Sequence, residues 1–176
     1  MVRIAALAIL CCPWICSAED AHKPFASTTI DIGFVVSDIE KSVKFYKDVV
    51  GLKEVTGFNV PGSYATKVGL TNGKELKVRV LVLGDGESAT KLKLMEFPDS
   101  KPKKNDNSAI DKELGVRYLT IFTSDTNAAL ARLEKNGVKP IAQGPQPLPK
   151  GFPEGVFLTI IRDPDGNLVE LVGPKK

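Results

Sequence analysis

Cysteine and histidine are two of the scarce residue types in this chain of 176 residues. It contains three cysteines, all within the first 16 positions, and a single histidine, His22. One imidazole is too few for a metal site that needs two or more histidines. His22 lies in a polar N-terminal segment, where we expect a solvated side chain rather than a member of a Ser-His-Asp triad. Both kinds of site are therefore excluded from the predicted domain.

An excess of charge of one sign is also lacking. The chain has 24 Lys+Arg and 21 Asp+Glu, a formal charge of +3, and its basic residues are spread along the sequence. Nucleic-acid-binding proteins concentrate basic residues in a patch or stripe, so we expect no nucleic-acid partner. With 43% hydrophobic and 26% charged residues, the composition is typical of one soluble globular domain with a sizeable core.

The longest apolar run, residues 4–15, is shorter than the roughly 20 residues of a membrane-spanning helix. A basic start precedes it, and the small residues Ser17 and Ala18 follow it. This pattern predicts a signal peptide over 1–18 and a secreted or periplasmic protein, not membrane-bound after cleavage. A lipoprotein anchor and a cytosolic chain with an apolar start are the alternatives. Cleavage would remove every cysteine and so exclude disulfides.

After a polar tail at 19–26, one domain is predicted over 27–174, and its pattern occurs twice. A β-branched strand, a Ser-Asp helix cap, a helix and a glycine follow one another in both halves, at 28–51 and again at 116–137. We expect further strands at 52–58, 76–83, 91–97, 138–143, 156–162 and 167–172. Module one thus spans 27–98 and module two 115–174, with a lysine-rich exposed linker at 99–114.

Four positions in the duplicated pattern carry side chains of chemical interest. Asp31 and Tyr118 each stand seven residues before the aspartate of the Ser-Asp cap, so they are predicted to be equivalent. Glu96 and Glu170 each lie near the end of a module's last strand and are expected to correspond. An acidic residue in an apolar strand is unfavourable unless it is paired, hydrogen-bonded or bound to a metal. We therefore expect Asp31 to have such a partner.

Three segments resemble the vicinal oxygen chelate superfamily, which includes glyoxalase I, bleomycin-resistance proteins and extradiol dioxygenases. They are residues 30–55 (IDIGFVVSDIEKSVKFYKDVVGLKEV), 92–97 (LKLMEF) and 162–171 (RDPDGNLVEL). The resemblance implies an α+β fold in which two paired βαβββ modules form a cupped, barrel-like mixed sheet with helices outside. It also implies a metal and a substrate inside the cup, and an assembly either within one chain or as a homodimer.

Metal-dependent members of that superfamily usually place histidine at the position of Asp31 and often at that of Tyr118, with glutamates at those of Glu96 and Glu170. Here both glutamates are present and both histidines are missing. The resemblance therefore implies a metal site of Asp31, Glu96 and Glu170, for which Mg²⁺, Mn²⁺ or Ca²⁺ suits the oxygen ligands better than Zn²⁺ or Ni²⁺. Converging carboxylates could instead share a proton or pair with a basic side chain such as Arg79.

Three functions remain open at this point. One is a secreted glyoxalase- or dioxygenase-like enzyme, a metal-assisted lyase or isomerase in which Glu170 moves a proton. Another is a metal-free protein that holds a small molecule, like the drug-sequestering members of the superfamily. A scaffold without a working site is the third. In the first two, we expect the small-molecule pocket to include Tyr118, Arg79, Phe58 and Phe152.

Overall fold

Two four-stranded mixed sheets make up the protein in a computed structural model that describes residues 25–176. The first sheet has the strand order β1-β4-β3-β2 and the second β5-β8-β7-β6. In each sheet the first and last strands of the module are parallel neighbours and the other pairs are antiparallel. The sheets are cupped rather than closed into a barrel, so the predicted α+β fold is confirmed. The predicted signal peptide and most of the tail lie outside the described residues.

Module one contains four strands and two α-helices. A π-helix, Phe45–Val50, directly continues α1, and a short 3₁₀ turn, Pro98–Ser100, follows β4. The elements are β1 (Ile32–Val36), α1 (Ile39–Lys44), β2 (Lys53–Val60), α2 (Gly62–Lys67), β3 (Leu76–Val82) and β4 (Lys91–Glu96). The sequence predicts an irregular segment at the position where the structure forms α2. The buried Ala65 of this helix packs against β3.

Module two repeats this plan with a shorter outer strand. Its elements are β5 (Tyr118–Phe122), α3 (Thr126–Lys135), β6 (Gln146–Pro147), β7 (Val156–Arg162) and β8 (Leu168–Pro174). The predicted strand at 138–143 is wrong: one backbone hydrogen bond, from the Ile141 N–H to the Ile160 carbonyl, joins that segment to β7, and the strand that forms on this edge of β7 is the two-residue β6. Pro140 within that segment and Pro145 just after it lack the N–H donors that a ladder requires.

The two helix starts form as the Ser-Asp motifs predict. The Asp38 carboxylate accepts a hydrogen bond from the Lys41 N–H, and that of Asp125 accepts one from the Asn127 N–H. Each therefore satisfies one of the donors that a helix leaves free at its first turn. Gly51 ends the first helical segment at φ 101°, a left-handed conformation that favours glycine.

One apolar core joins the two modules on the helix side of both sheets. It combines residues of β1, β4, the π-helix, α3, β7 and β8. At its edge the hydroxyl of Tyr46, itself fully buried, donates to the Asp163 carboxylate at 2.9 Å. Burial, reinforced by the negative charge of Asp163, raises the pKa of Tyr46 well above its usual value. The turn before β8 is thereby tied to the helix of module one.

A second link between the modules uses the same turn. The Asp165 carboxylate accepts a hydrogen bond from the Ser37 N–H at 2.9 Å, at the end of β1. The residues 163–167, which the sequence indicates as a turn, thus hold the start of β8 next to the end of β1. In residues 25–176, no helix is long and apolar enough to cross a membrane.

Candidate functional site

The inner faces of the two sheets, on the side away from the long helices, carry the polar side chains of the candidate site. Side chains alternate along a strand, and those of Leu92 and Leu94 pack into the core shared with the helices. Lys93, between them, therefore points to the inner face, as does Gly33, its partner in the β1–β4 register. By the same rule Thr120 and Glu170, which are paired across β5 and β8, share the inner face of the second sheet.

The strand registers correct the equivalence that the sequence suggests for the two glutamates. Ile32 pairs with Leu92 in module one, and its counterpart Leu119 pairs with Val169 in module two. One position further along, Lys93 is therefore the counterpart of Glu170. Glu96 lies three residues beyond Lys93, and because three is an odd number its side chain faces the opposite side of the sheet.

Lys93 forms an ion pair with Asp31 on the inner face. The Lys93 Nζ lies 2.8 Å from a carboxylate oxygen of Asp31, and the two side chains are 32% and 36% exposed. The hydrogen bond from Lys93 holds the pKa of Asp31 below its usual value. Asp31, which lies directly before β1, thus has a charged partner, and that partner is a cation of this chain.

Glu170 has a different environment. One of its carboxylate oxygens accepts a hydrogen bond from the Thr120 hydroxyl at 2.7 Å, and the side chain is partly buried. No salt bridge to Glu170 is present in residues 25–176. Tyr118, two residues before Thr120, is 47% exposed on the same face. Module two therefore presents a carboxylate and a phenol on its inner face, and their predicted roles in a site stay predictions.

Arg79 and Glu96, two further predicted site residues, lie on the helix side of the first sheet. The Arg79 guanidinium donates to the carboxylates of Glu54, at 2.7 Å from Nε, and Glu40, at 2.6 Å from Nη1. Its register partner is the core residue Leu94. The sheet separates both side chains from Lys93 and Glu170, so the structure does not bring the predicted set into one cluster.

Two cavities adjoin the sheets. The larger, about 880 Å³, lies at the end of the first sheet and is lined by Phe58, Arg79 and Glu96 among others. The smaller, about 420 Å³, is lined by Gly33 and Val35 of β1, Tyr118 of β5 and part of the linker. Strands β1 and β5 thus face one common space between the modules. Phe152 is 60% exposed in the loop before β7 and lines neither cavity, so its pocket role stays a prediction.

The residues at the four corresponding positions do not fit a divalent metal ion. Asp31, Lys93, Tyr118 and Glu170 provide two carboxylates, a neutral phenol and an ammonium group, and one carboxylate is already paired with the ammonium. A cation bound there would face the positive charge of Lys93 and compete with it for Asp31. Within residues 25–176, no group of three or more His, Cys, Asp or Glu side chains could hold a metal.

Comparison with known proteins agrees with this architecture. The family model of the Glyoxalase/Bleomycin resistance protein/Dioxygenase superfamily matches residues 29–171. The lactoylglutathione lyase-like protein terB of Aspergillus terreus (strain NIH 2624 / FGSC A1156) is 34% identical over 149 residues, which cover 77% of this chain and 70% of that protein. The chain belongs to the Glyoxalase/Bleomycin resistance protein/Dioxygenase superfamily, as its sequence motifs indicate.

Solved structures of the same superfamily share the fold. A glyoxalase family protein from Bacillus cereus superposes with a TM-score of 0.69 at 19% identity, over 89% of this chain and 99% of that chain. TnmS3, an antibiotic binding protein from Streptomyces sp. CB03234, superposes with a TM-score of 0.52 at 25% identity, over 88% and 100%. Members of the superfamily bind small-molecule ligands and are often dimers.

Proposed function

We propose that this protein binds a small organic molecule in the cup between its two modules without a bound metal ion. The observation that carries the proposal is the ion pair of Lys93 and Asp31, which takes up the two module-one positions at which metal-dependent relatives are expected to have ligands. The similarity to TnmS3, an antibiotic binding protein, supports a binding role for this fold. On this proposal the resemblance to glyoxalases reflects the shared fold and not a shared reaction, and the cup serves to bind a ligand.

Apolar side chains on the inner face support a container for an organic ligand. Val78 and Val80 are buried under Ala65 of α2 with Met95 packed against them, so the apolar surface that module one offers to a ligand is that of Phe58 and Val35, 46% and 47% exposed. In module two, Phe122 is 78% exposed on the face that carries Glu170. Small-molecule sites typically combine such apolar walls with a few polar groups that orient the ligand.

Differential scanning calorimetry of the purified protein, which measures its melting temperature, tests the proposal. Mg²⁺, Mn²⁺, Ca²⁺, Zn²⁺ and Ni²⁺ are each added after dialysis against EDTA, and elemental analysis is made of protein purified without a chelator. We expect no rise in melting temperature with any ion, no stoichiometric metal, and ligand binding that persists in EDTA. A stoichiometric metal whose stabilising effect disappears in Glu170→Gln would contradict the proposal and restore the metal-assisted lyase.

A second candidate is a lyase or isomerase in which Glu170 removes a proton from a carbon next to a carbonyl and returns it to the neighbouring carbon. Glu170 supports this candidate because its carboxylate is oriented by Thr120 and carries no ion pair. The name of terB suggests the assay: the hemithioacetal of methylglyoxal and glutathione, followed as lactoylglutathione formation. Turnover that Glu170→Gln abolishes while the protein stays folded would favour this candidate over simple binding.

Export and homodimer formation stay proposals that rest on the sequence pattern and the superfamily. If residues 1–18 act as a signal peptide, protein recovered outside the cytoplasm of a bacterial host begins at Glu19. N-terminal sequencing measures this directly, and an intact Met1 in that fraction would contradict it. Sedimentation equilibrium decides between one and two copies of the chain.

A further inference from the structure

We propose that the ligand of the cup carries an anionic oxygen, a carboxylate or a phenolate, attached to an aromatic ring, and that Lys93 binds this oxygen. The inference rests on the proposed metal-free cup and adds the chemical class of its ligand. Lys93 then supplies the positive charge that a metal ion supplies in metal-dependent relatives.

The ammonium group of Lys93 has hydrogen-bonding capacity to spare. It has three N–H donors, and Asp31 is its only hydrogen-bonding or ion-pair partner in residues 25–176. Its side chain is 32% exposed, so the remaining donors are open to the inner face. Asp31 holds the ammonium in one orientation, which lowers the entropic cost of binding a second anion there.

An aromatic ring stands beside this charge. The Lys93 Nζ lies 5.9 Å from the centroid of the Phe58 ring, within the range of a cation–π contact. Phe58 is 46% exposed, and its register partner on the inner face, Val78, belongs to the buried apolar cluster. A flat apolar ligand body could therefore lie against Phe58 while its charged end contacts Lys93.

The backbone leaves room for such a group next to Lys93. Gly33 is the register partner of Lys93 and has no side chain to cover it. Gly33 itself is exposed, and the Met95 methyl group bounds the space on one side, 3.3 Å from where a Cβ at Gly33 would stand. Lys93, Phe58 and the open surface at Gly33 together favour an aromatic oxyanion over a neutral or cationic ligand.

Two pairs of probes, each an ionisable compound and its neutral methyl derivative, test this inference on the full chain in EDTA at a pH at which the ionisable member is an anion. The carboxylate pair is 2-naphthoate and methyl 2-naphthoate, and the phenolate pair is 4-nitrophenol and 4-nitroanisole, with affinities from isothermal titration calorimetry. We expect the anion of at least one pair to bind about tenfold more tightly than its neutral partner, because charge-assisted hydrogen bonds are the strong ones. Which pair discriminates decides between carboxylate and phenolate.

Lys93→Met should abolish the preference for the anion, whereas Lys91→Met should keep it. Lys91 is the matched control, since it lies two residues earlier on the same strand and face. Absorption of bound 4-nitrophenol gives a second readout, because a nearby ammonium group lowers the pKa of a bound phenol. If Lys93→Met does not fold, the probe pairs and the absorption spectrum, both measured on the unmodified protein, decide whether the site prefers the anion.

Equal affinities within both pairs, a preference that persists in Lys93→Met, or no binding of any probe would overturn the assignment of Lys93. Equal affinities in EDTA would still leave the metal-free cup intact. A strict requirement for added metal would instead overturn the proposed function itself.

Discussion

The two modules share one topology and differ at the positions that face the cup. Module one places Asp31 and Lys93 there as an ion pair, and module two places Tyr118 and Glu170, with Glu170 held by a threonine hydroxyl. The backbone registers are the same, so the contrast lies in the side chains alone. A duplicated fold can thus keep its geometry while its two halves carry different side chains at corresponding positions.

The turns before the last strands show a parallel contrast. In module two, Asp163 is 5% exposed and accepts hydrogen bonds from the Tyr46 hydroxyl, the Asp165 N–H, and both the backbone N–H and side-chain amide of Asn167. In module one, Asp85 is exposed and lies 3.6 Å from Lys53 at the surface. One turn connects the modules, and the other only reverses the chain.

Replacing Asp163 gives the largest expected effect. Asp163→Ala leaves a buried hydroxyl and several N–H groups without an acceptor, which we expect to cost about 3 kcal/mol or more of the free energy of unfolding. For a domain of this size that corresponds to a fall in melting temperature of roughly 10 °C. Chemical and thermal denaturation measure it. Asp85→Ala is the control, and an equal loss there would refute the contrast between the turns.

A variant that gives module one the acidic residue of module two tests whether Lys93 is what prevents a divalent metal ion from binding. Lys93→Glu replaces the cation beside Asp31 with a third inner-face carboxylate. If the two inner faces enclose one cup, we expect the variant to melt lower in EDTA and to gain several degrees with Mn²⁺. At a metal concentration about 100 times the dissociation constant, the gain would be roughly 2.7 kcal/mol. Lys91→Glu serves as the control. Failure of Lys93→Glu to respond to any divalent ion would show that the two modules do not share one cup.

Alkaline pH probes the link between the modules. The raised pKa of Tyr46 means that its neutral form is favoured in the folded state, so this stabilisation is complete below the unfolded value of about 10.0. It is lost as pH rises through the folded pKa. We expect the free energy of unfolding to fall with pH above 10 and Tyr46→Phe to make that fall shallower, in urea titrations at fixed pH. An unchanged slope in Tyr46→Phe would mean that another group is responsible.

The smallest effect is expected at the ion pair itself. Asp31→Asn removes a half-exposed pair, which we expect to contribute less than about 1 kcal/mol to folding. Because the pKa of Asp31 is lowered, this contribution is present above about pH 3.8 and is lost as pH falls through the folded pKa. Denaturation at pH 7 and at acidic pH measures both. A loss as large as that of Asp163→Ala would identify Asp31 as a structural residue.

Much of the fold was predictable because its signals are local. The Ser-Asp caps, the glycine at 51 and the turn at 163–167 all form, since each depends on backbone groups a few residues away. The prediction of a strand at 138–143 is wrong, because a strand forms only where its N–H and carbonyl groups can pair with those of a neighbouring strand. Helix α2 was missed, since its Ala65 gains stability from packing against β3 rather than from its own short sequence.

The candidate site was predictable only in part. The spacing from the helix caps singles out Asp31 and Tyr118, and the place near the end of the last strand singles out Glu170. Lys93 was missed, although its sequence signal was present: Lys93 in LKLMEF stands one residue before a core leucine, as Glu170 does in NLVELV. Glu96 drew attention because it matches in charge, yet it lies on the other face of the sheet.

The sequence by itself determined the duplicated modules, the capped helices and the superfamily, because alternation, capping and turns act over a few neighbouring residues. Tertiary structure alone decided which side chains meet: the pairing of β1 with β4 set Lys93 against Asp31, and the packing of the modules set Tyr46 against Asp163. Strand register is a long-range property, and a shift of one residue exchanges the two faces of a strand. The identity of a site that spans four strands therefore depends on that register.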